Sequence, residues 1–229
     1  MKYFTYLALP LVVLSYQLLA HEPVLQKQLQ TSALVKAGGK FITLVGEQVK
    51  VGKKAPNFKV VDENFSPVEL NHFSNKNILI SVVPSLDTGV CSLQTKRFND
   101  EIVNLPDDVI SLTISNDLPF AQKRFCTTEK IDRIKVLSDS VWRNFGQHYG
   151  LLIKDMGLLS RAILVINNKG ILVYKEIVAD ISNHPNYDAA LAAVKALSFD
   201  AKALQPKVEP LIKPKITPAE EIIKTSQSN

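Results

Sequence analysis

Apolar residues recur along this chain at two periods, and the change from one to the other marks out its elements. Asn77 to Val83 reads Asn-Ile-Leu-Ile-Ser-Val-Val, a short β-branched run typical of a strand buried on both faces. Pro84 stops it. Beyond a polar turn, Cys91, Thr95, Phe98, Ile102 and Leu105 recur at i, i+4, i+7, i+11 and i+14, which predicts one face of an amphipathic helix of about four turns. Val109 to Ser115 alternates as a second strand. A short helix follows, with Asp117 as its cap, Pro119 in its first turn and Cys126 at its end. Ile134 to Ser138 reads as a strand, and Val141 to Tyr149 as a helix with Trp142, Phe145 and Tyr149 on one side. Arg161 to Asn167 and Ile171 to Val178 flank Asn167-Asn168-Lys169-Gly170, a hairpin signal. Tyr187 to Leu197 closes the series as a helix. Upstream, Phe41–Leu44 and Glu47–Lys50 around Val45-Gly46 predict a hairpin, and Asn57–Val61 a strand. Strands joined first by helical crossovers and finally by a hairpin imply an α/β domain with a mixed central sheet covered by helices.

The ends differ in character from this body. Lys2, an almost uncharged apolar stretch from Tyr3 to Leu19, and Ala20 before polar His21-Glu22 read as a signal peptide over residues 1–20. A membrane span needs ~20 apolar residues, and this run is shorter and broken by Pro10. Export, most simply to a periplasm, is the expectation, with a cytoplasmic location the alternative, and no membrane insertion is expected after cleavage. Residues 21–38 read as an irregular lead-in, 39–198 as the folded domain, and 199–229 as a mobile tail in which Pro206, Pro210, Pro214 and Pro218 recur among Lys and Glu.

At 229 residues and 46% apolar the chain can bury one core of ordinary size. Its formal charge of +5 is concentrated at the N-terminal end: residues 1–56 hold seven Lys against two Glu, whereas residues 57–229 hold 20 basic and 20 acidic side chains. No basic stripe with interleaved aromatics appears, so a nucleic-acid partner is not expected. The four His are scattered without ligand spacing, and no metal or other cofactor is expected.

That leaves the cysteines, of which there are two, Cys91 and Cys126. Cys91 falls where a buried strand gives way to the first turn of a helix. Unpaired N–H groups and the positive end of the helix dipole favour an anion there, so a nucleophilic thiolate is one reading. An inert core thiol is the other, since free Cys is among the most buried residue types. In an oxidising compartment the two could also form a structural disulfide in an exported interaction protein.

The whole string decides between them. Pro84-Ser85-Leu86-Asp87-Thr88-Gly89-Val90-Cys91, followed by Gln94-Thr95-Lys96-Arg97-Phe98-Asn99, closely resembles the peroxidatic segment of bacterial thiol peroxidases, the atypical 2-Cys peroxiredoxins. Ser115 to Cys126 resembles that family's resolving-cysteine segment, Leu159-Ser160-Arg161-Ala162 its active-site arginine strand, and Pro185 to Leu191 its C-terminal helix. The resemblance covers roughly residues 30 to 198 and implies a thioredoxin-like fold and a thiol-dependent peroxidase. It implies that Cys91 attacks a hydroperoxide, that Cys126 resolves the product as an intramolecular disulfide, and that a thioredoxin-type dithiol restores both thiols. It further implies that Thr88 offers its hydroxyl to the peroxide, that Arg161 stabilises the developing charge, that Pro84 shields the sulfur, and that the chain forms a homodimer. The loop Asp155–Ser160 is shorter than the family's, so the placement of Arg161 is a matter for the structure.

Overall fold

The β-branched run becomes an interior strand of a seven-stranded sheet, and all six residues of that strand are buried. The computed structural model describes residues 30–203, with side chains over 35–197. The expected signal peptide and the tail prolines lie outside the described residues. In chain order the strands are β1 Gln30–Ala37, β2 Lys40–Val45, β3 Lys59–Val61, β4 Pro67–Glu69, β5 Asn77–Val82, β6 Val109–Ser115, β7 Lys135–Ser138, β8 Leu152–Ile153, β9 Ala162–Ile166 and β10 Leu172–Ile177. The helices are α1 Gly89–Glu101, α2 Pro119–Glu129, α3 Asn144–His148 and α4 Tyr187–Ala203.

The main sheet runs β10-β9-β5-β6-β7-β3-β4. β5, β6 and β7 are parallel neighbours, whereas β9 is antiparallel to both β5 and β10. This is the mixed sheet that the crossovers and terminal hairpin predict. The strand period of two separates two cores. Ile78, Ile80, Val82, Leu112, Ile114, Leu164 and Ile166 meet Phe58, Phe145 and Tyr149 on one face. On the other, Leu79, Ile163 and Val165 meet Phe98 of α1 and Tyr187, Ala190, Leu191 and Val194 of α4. Each such aliphatic side chain contributes about 1.5–3 kcal/mol by burial.

The N-terminal hairpin is displaced from its expected place. Its strands are β1 and β2, turning at Gly38-Gly39 with both glycines at positive φ, and Glu47–Lys50 forms no strand. The 21–38 segment is therefore not irregular throughout. β2 also pairs with β8, and Ile181 donates its N–H to the Lys36 carbonyl, so the hairpin braces the chain beyond β10. At the other end α4 runs to Ala203, past the expected boundary at 198.

The helix expected over Val141–Tyr149 is shorter, because Arg143 adopts a left-handed conformation and α3 begins only at Asn144. Phe145 and Tyr149 are buried and stacked as expected, but Trp142 lies outside under the Lys59 ammonium. Buried Asp139 accepts the N–H groups of Phe145 and Gly146 at 2.9 and 2.7 Å. Burial raises its pKa from 3.8 to about 6 against the opposing pull of those backbone donors. The native state then holds this proton more tightly than the unfolded chain between these two values. Its contribution to stability is full below the lower value and lost as pH rises through the upper one. Relative to Asp139→Asn, the wild type is expected to lose about 3 kcal/mol between about pH 4 and about pH 6.5, read from paired urea titrations.

Candidate active site

β5 delivers the chain to buried Pro84, and the turn that follows opens α1 with Thr88 as its N-cap residue. Cys91 is the third residue of α1 and is fully buried. Val83 and Leu86 form its apolar surround, with Phe125 of α2 and Val136 of β7 packed against them. The inward face of α1 differs from the hydropathy pattern: it comprises Cys91, Gln94, Thr95, Phe98 and Asn99. Ile102 begins a separate 3-10 turn, Ile102–Asn104, and four of the five inward residues carry polar side chains or a thiol. In the first half of this helix Gln94 bonds to Ser81 and Val82 of β5, while Cys91 packs into its apolar surround.

The most consequential hydrogen bonds to this helix involve Arg161, the residue just before β9, which is 1% exposed. Its Nη2 donates to Cys91 Sγ at 3.3 Å and to the Ile181 carbonyl at 2.7 Å. Nε donates to the same carbonyl at 2.9 Å, and Nη1 to Gln94 Oε1 at 2.6 Å. Gln94 in turn donates to Ser81 Oγ of β5 at 2.7 Å. The short Asp155–Ser160 loop thus leads Arg161 to the Cys91 sulfur. No carboxylate pairs with this guanidinium among the described residues. A buried cation needs a compensating charge. Among its four hydrogen-bonded acceptor contacts, only the Cys91 sulfur can become an anion. The N-terminal hairpin matters here, because it braces the segment whose Ile181 carbonyl clamps the arginine.

Thr88 is placed differently from its expected role. It is exposed, and its hydroxyl donates to the Ser85 carbonyl at 2.9 Å. The proton is thereby used within the turn, leaving the oxygen lone pairs to accept from an incoming group. Asp117 also departs from expectation. Leu118, not Asp117, is the N-cap residue of α2, while Pro119 does open that helix. The Asp117 carboxylate instead accepts from Ser85 Oγ at 2.7 Å, the Leu86 N–H at 2.7 Å and Ser115 Oγ at 2.8 Å. Gln122 of α2 donates to the same Ser115 oxygen at 2.9 Å. A continuous chain of hydrogen bonds therefore joins the turn before Cys91 to the helix that carries Cys126. Asp117→Asn exchanges an acceptor for a donor in this chain. It is expected to slow oxidation of Cys91 by about tenfold, the cost of one charge-assisted hydrogen bond, in a competition assay for peroxide.

Cys126 lies inside α2 and not at its end, because the helix continues to Glu129 and closes on Lys130 in a left-handed cap. Its carbonyl accepts the N–H groups of Lys130 and Ile131 at that cap. Its half-buried thiol lines a cleft of about 710 Å³ between α2, β7 and the β3–β4 turn, while its neighbour Phe125 packs into the Cys91 cluster. Burial, then the Glu63 carboxylate, push this thiol from 9.0 up to about 11, with a backbone hydrogen bond opposing. Both cysteines are free. Gln94 and Asp117 are the site residues that hydropathy misses. Gln94 had a signal, its i+3 spacing from Cys91 on one helix face.

Residues 50–191 match the Redoxin family model. The thiol peroxidase of Listeria innocua is 51% identical over 154 residues, covering 67% of this chain and 93% of that protein. This chain belongs to the thiol peroxidase family. The thiol peroxidase of Bacillus subtilis is 46% identical over 156 residues, covering 68% and 93% of the two chains. Among solved structures, a peroxiredoxin-like protein from Aquifex aeolicus superimposes with a TM-score of 0.67 at 39% identity, over 71% of this chain and 96% of that one. A thiol peroxidase from Chromobacterium violaceum, at 23% identity and TM-score 0.65, shares the fold over 75% of this chain and 98% of its own. The fold is thioredoxin-like and the chain is a thiol-dependent peroxidase. The interaction-protein alternative, with a structural disulfide, has no support from these relatives.

Proposed function

We propose that Cys91 is the peroxidatic nucleophile of this thiol peroxidase, that Cys126 resolves it, and that Arg161, Thr88 and Pro84 shape the reaction. The contact between Arg161 Nη2 and Cys91 Sγ carries this reading, because it places a desolvated cation on the one sulfur that opens a helix. Cys91 as thiolate attacks the terminal oxygen of hydrogen peroxide or an organic hydroperoxide. The O–O bond breaks, sulfur becomes a sulfenic acid, and hydroxide or alkoxide leaves and takes a proton. Negative charge passes to the peroxide oxygens, which the Arg161 fork stabilises while the Thr88 oxygen accepts a hydrogen bond from the peroxide O–H. Buried Pro84 closes the turn against bulk water.

Cys126 then attacks the sulfenic sulfur, water is released, and an intramolecular disulfide forms. Bridging requires Cα atoms within ~7 Å and the Cys126 thiol turned out of its cleft, so α2 must loosen at its left-handed cap. A thioredoxin-type dithiol reduces the disulfide by exchange. For an exported chain, as residues 1–20 suggest, that donor is a periplasmic dithiol, and recovery of uncleaved protein from the cytoplasmic fraction would remove this requirement. The working unit is proposed to be a homodimer, checked by its mass in solution.

The test is the reaction of fully reduced protein with one equivalent of hydrogen peroxide, quenched rapidly and mapped by peptide. Conversion to the Cys91–Cys126 disulfide within seconds at micromolar concentrations is expected. Oxidation at the slow rate of an ordinary thiol would overturn the assignment.

A further inference from the structure

The turn between β3 and β4 is built more rigidly than a surface connection requires. Asp62 Oδ1 accepts the N–H groups of Asn64 at 2.8 Å and Ser66 at 2.9 Å, folding the turn on itself. Phe65 adopts a φ of 61°, a conformation that bulky side chains rarely take and that needs support from its surroundings. Its ring meets Phe120 of α2 with centroids 5.1 Å apart, although both residues are exposed. One helical turn further along α2, Lys123 pairs with Glu63 at 3.5 Å. Another turn on, Cys126 lines the cleft that this same β3–β4 turn walls. The turn therefore grips α2 at two points immediately before the second cysteine.

We propose that Glu63 is a positioning residue for the resolving step, acting with Lys123 and Phe65 as a clasp that keeps the Cys126 thiol docked in its cleft until α2 opens. The proposal rests on the reading of Cys126 as the resolving thiol. Resolution needs the Cys126 sulfur to supply an electron pair to the sulfenic sulfur of Cys91: an S–S bond forms, the S–O bond breaks, and hydroxide leaves and becomes water. A thiolate does this far faster than a thiol. The charged and titratable side chains that face the cleft are Asp62, Glu63, His72, Lys123, Asp132 and Lys135. Of these, Glu63 is the one whose field opposes ionisation of Cys126, in addition to burial. The clasp thus retains the resolving thiol in two ways, by holding its helix and by keeping its proton. Opening releases both restraints together, so sulfur is freed to react only as it leaves the cleft.

The experiment follows two signals in the full chain after one equivalent of hydrogen peroxide, across a pH series: loss of the Cys91 thiol, and appearance of the Cys91–Cys126 disulfide. Glu63→Gln is expected to form the disulfide about three- to tenfold faster at neutral pH and to lower the pH of half-maximal resolution by about half to one unit. Lys123→Met breaks the same ion pair but leaves the carboxylate beside the thiol, and it is expected not to lower that pH. Formation of the disulfide in the wild type, with rate and pH dependence unaltered in Glu63→Gln, would overturn the role of Glu63 alone. An equal downward shift in Lys123→Met would show that Glu63 acts through the ion pair alone, and would overturn the second restraint, the hold of its carboxylate on the Cys126 proton. Absence of the disulfide in the wild type would overturn the assignment of Cys126, and this proposal with it.

Discussion

Cys91→Ser is expected to consume no peroxide above the uncatalysed rate, whereas Cys126→Ser is expected to consume one equivalent per chain rapidly and then to take up more only by slow over-oxidation, with no turnover. The two outcomes follow from different chemistry. A serine hydroxyl at the head of α1 stays protonated near neutral pH and offers no thiolate to attack the O–O bond, so nothing begins. Removing Cys126 leaves Arg161, Gln94 and the Asp117 chain untouched around Cys91. The first oxidation then proceeds, but the sulfenic acid has no intramolecular partner. Under excess peroxide it climbs to the sulfinic and sulfonic states, which a dithiol does not reverse. Peroxide stoichiometry and intact mass distinguish the three proteins. Continuous turnover of Cys126→Ser with a protein dithiol would show that the reductant attacks the sulfenic acid directly.

What the sequence made legible was whatever a period or a contiguous string could carry. The runs that became β5, β6 and β9 are apolar and short, and their burial inside the sheet makes them unambiguous, whereas β10, at the sheet edge, was marked by the hairpin turn before it. The motif around Cys91 carried the site because its residues are consecutive. β1 was hidden because its Gln-Thr-Ser start shows no apolar alternation and its pairing depends on a turn at Gly38-Gly39. β8 is two residues long, too short for any period. The position of Cys126 was misread because α2 stops on a left-handed lysine, where a glycine would have announced the end. Trp142 misled for the matching reason: left-handed Arg143 lies between it and Asn144, where the helix begins.

Polar residues with long-range partners were the least legible. Gln94 and Asn99 look like surface positions by hydropathy, yet both face inward on α1, where Gln94 joins Arg161 to Ser81 and Asn99 accepts the N–H groups of Asp132 and Arg133. Asp117 has the spacing of a helix cap and instead serves the turn 31 residues before it in the chain. Glu63 has no local signal at all. Apart from the i+3 spacing that sets Gln94 on the same helix face as Cys91, these side chains are defined by what the fold brings to them, and their distant partners leave no trace in a single sequence.

Arg161→Lys is expected to slow the oxidation of Cys91 by about two orders of magnitude while preserving the fold. The native guanidinium uses three nitrogens in one plane to reach the Ile181 carbonyl twice, Gln94 Oε1 and Cys91 Sγ. An ammonium has one nitrogen, so it can satisfy the carbonyl or the sulfur but cannot span both and still face the peroxide. The helix N-terminus remains in the variant, but its field contributes typically 0.3–1 kcal/mol, less than a tenfold effect on rate. A loss near one hundredfold therefore assigns most of the activation to the arginine fork, and a loss below tenfold would assign it to the helix. Arg161→Met makes the complementary case, since it also leaves the Ile181 and Gln94 oxygens without their donors. It is expected to lower the unfolding midpoint as well as the rate, and circular dichroism of both variants separates the loss of chemistry from the loss of structure. If the lysine variant kept the wild-type rate, the 3.3 Å contact would be a packing feature of β9 and the reactivity of Cys91 would have to come from elsewhere in the turn.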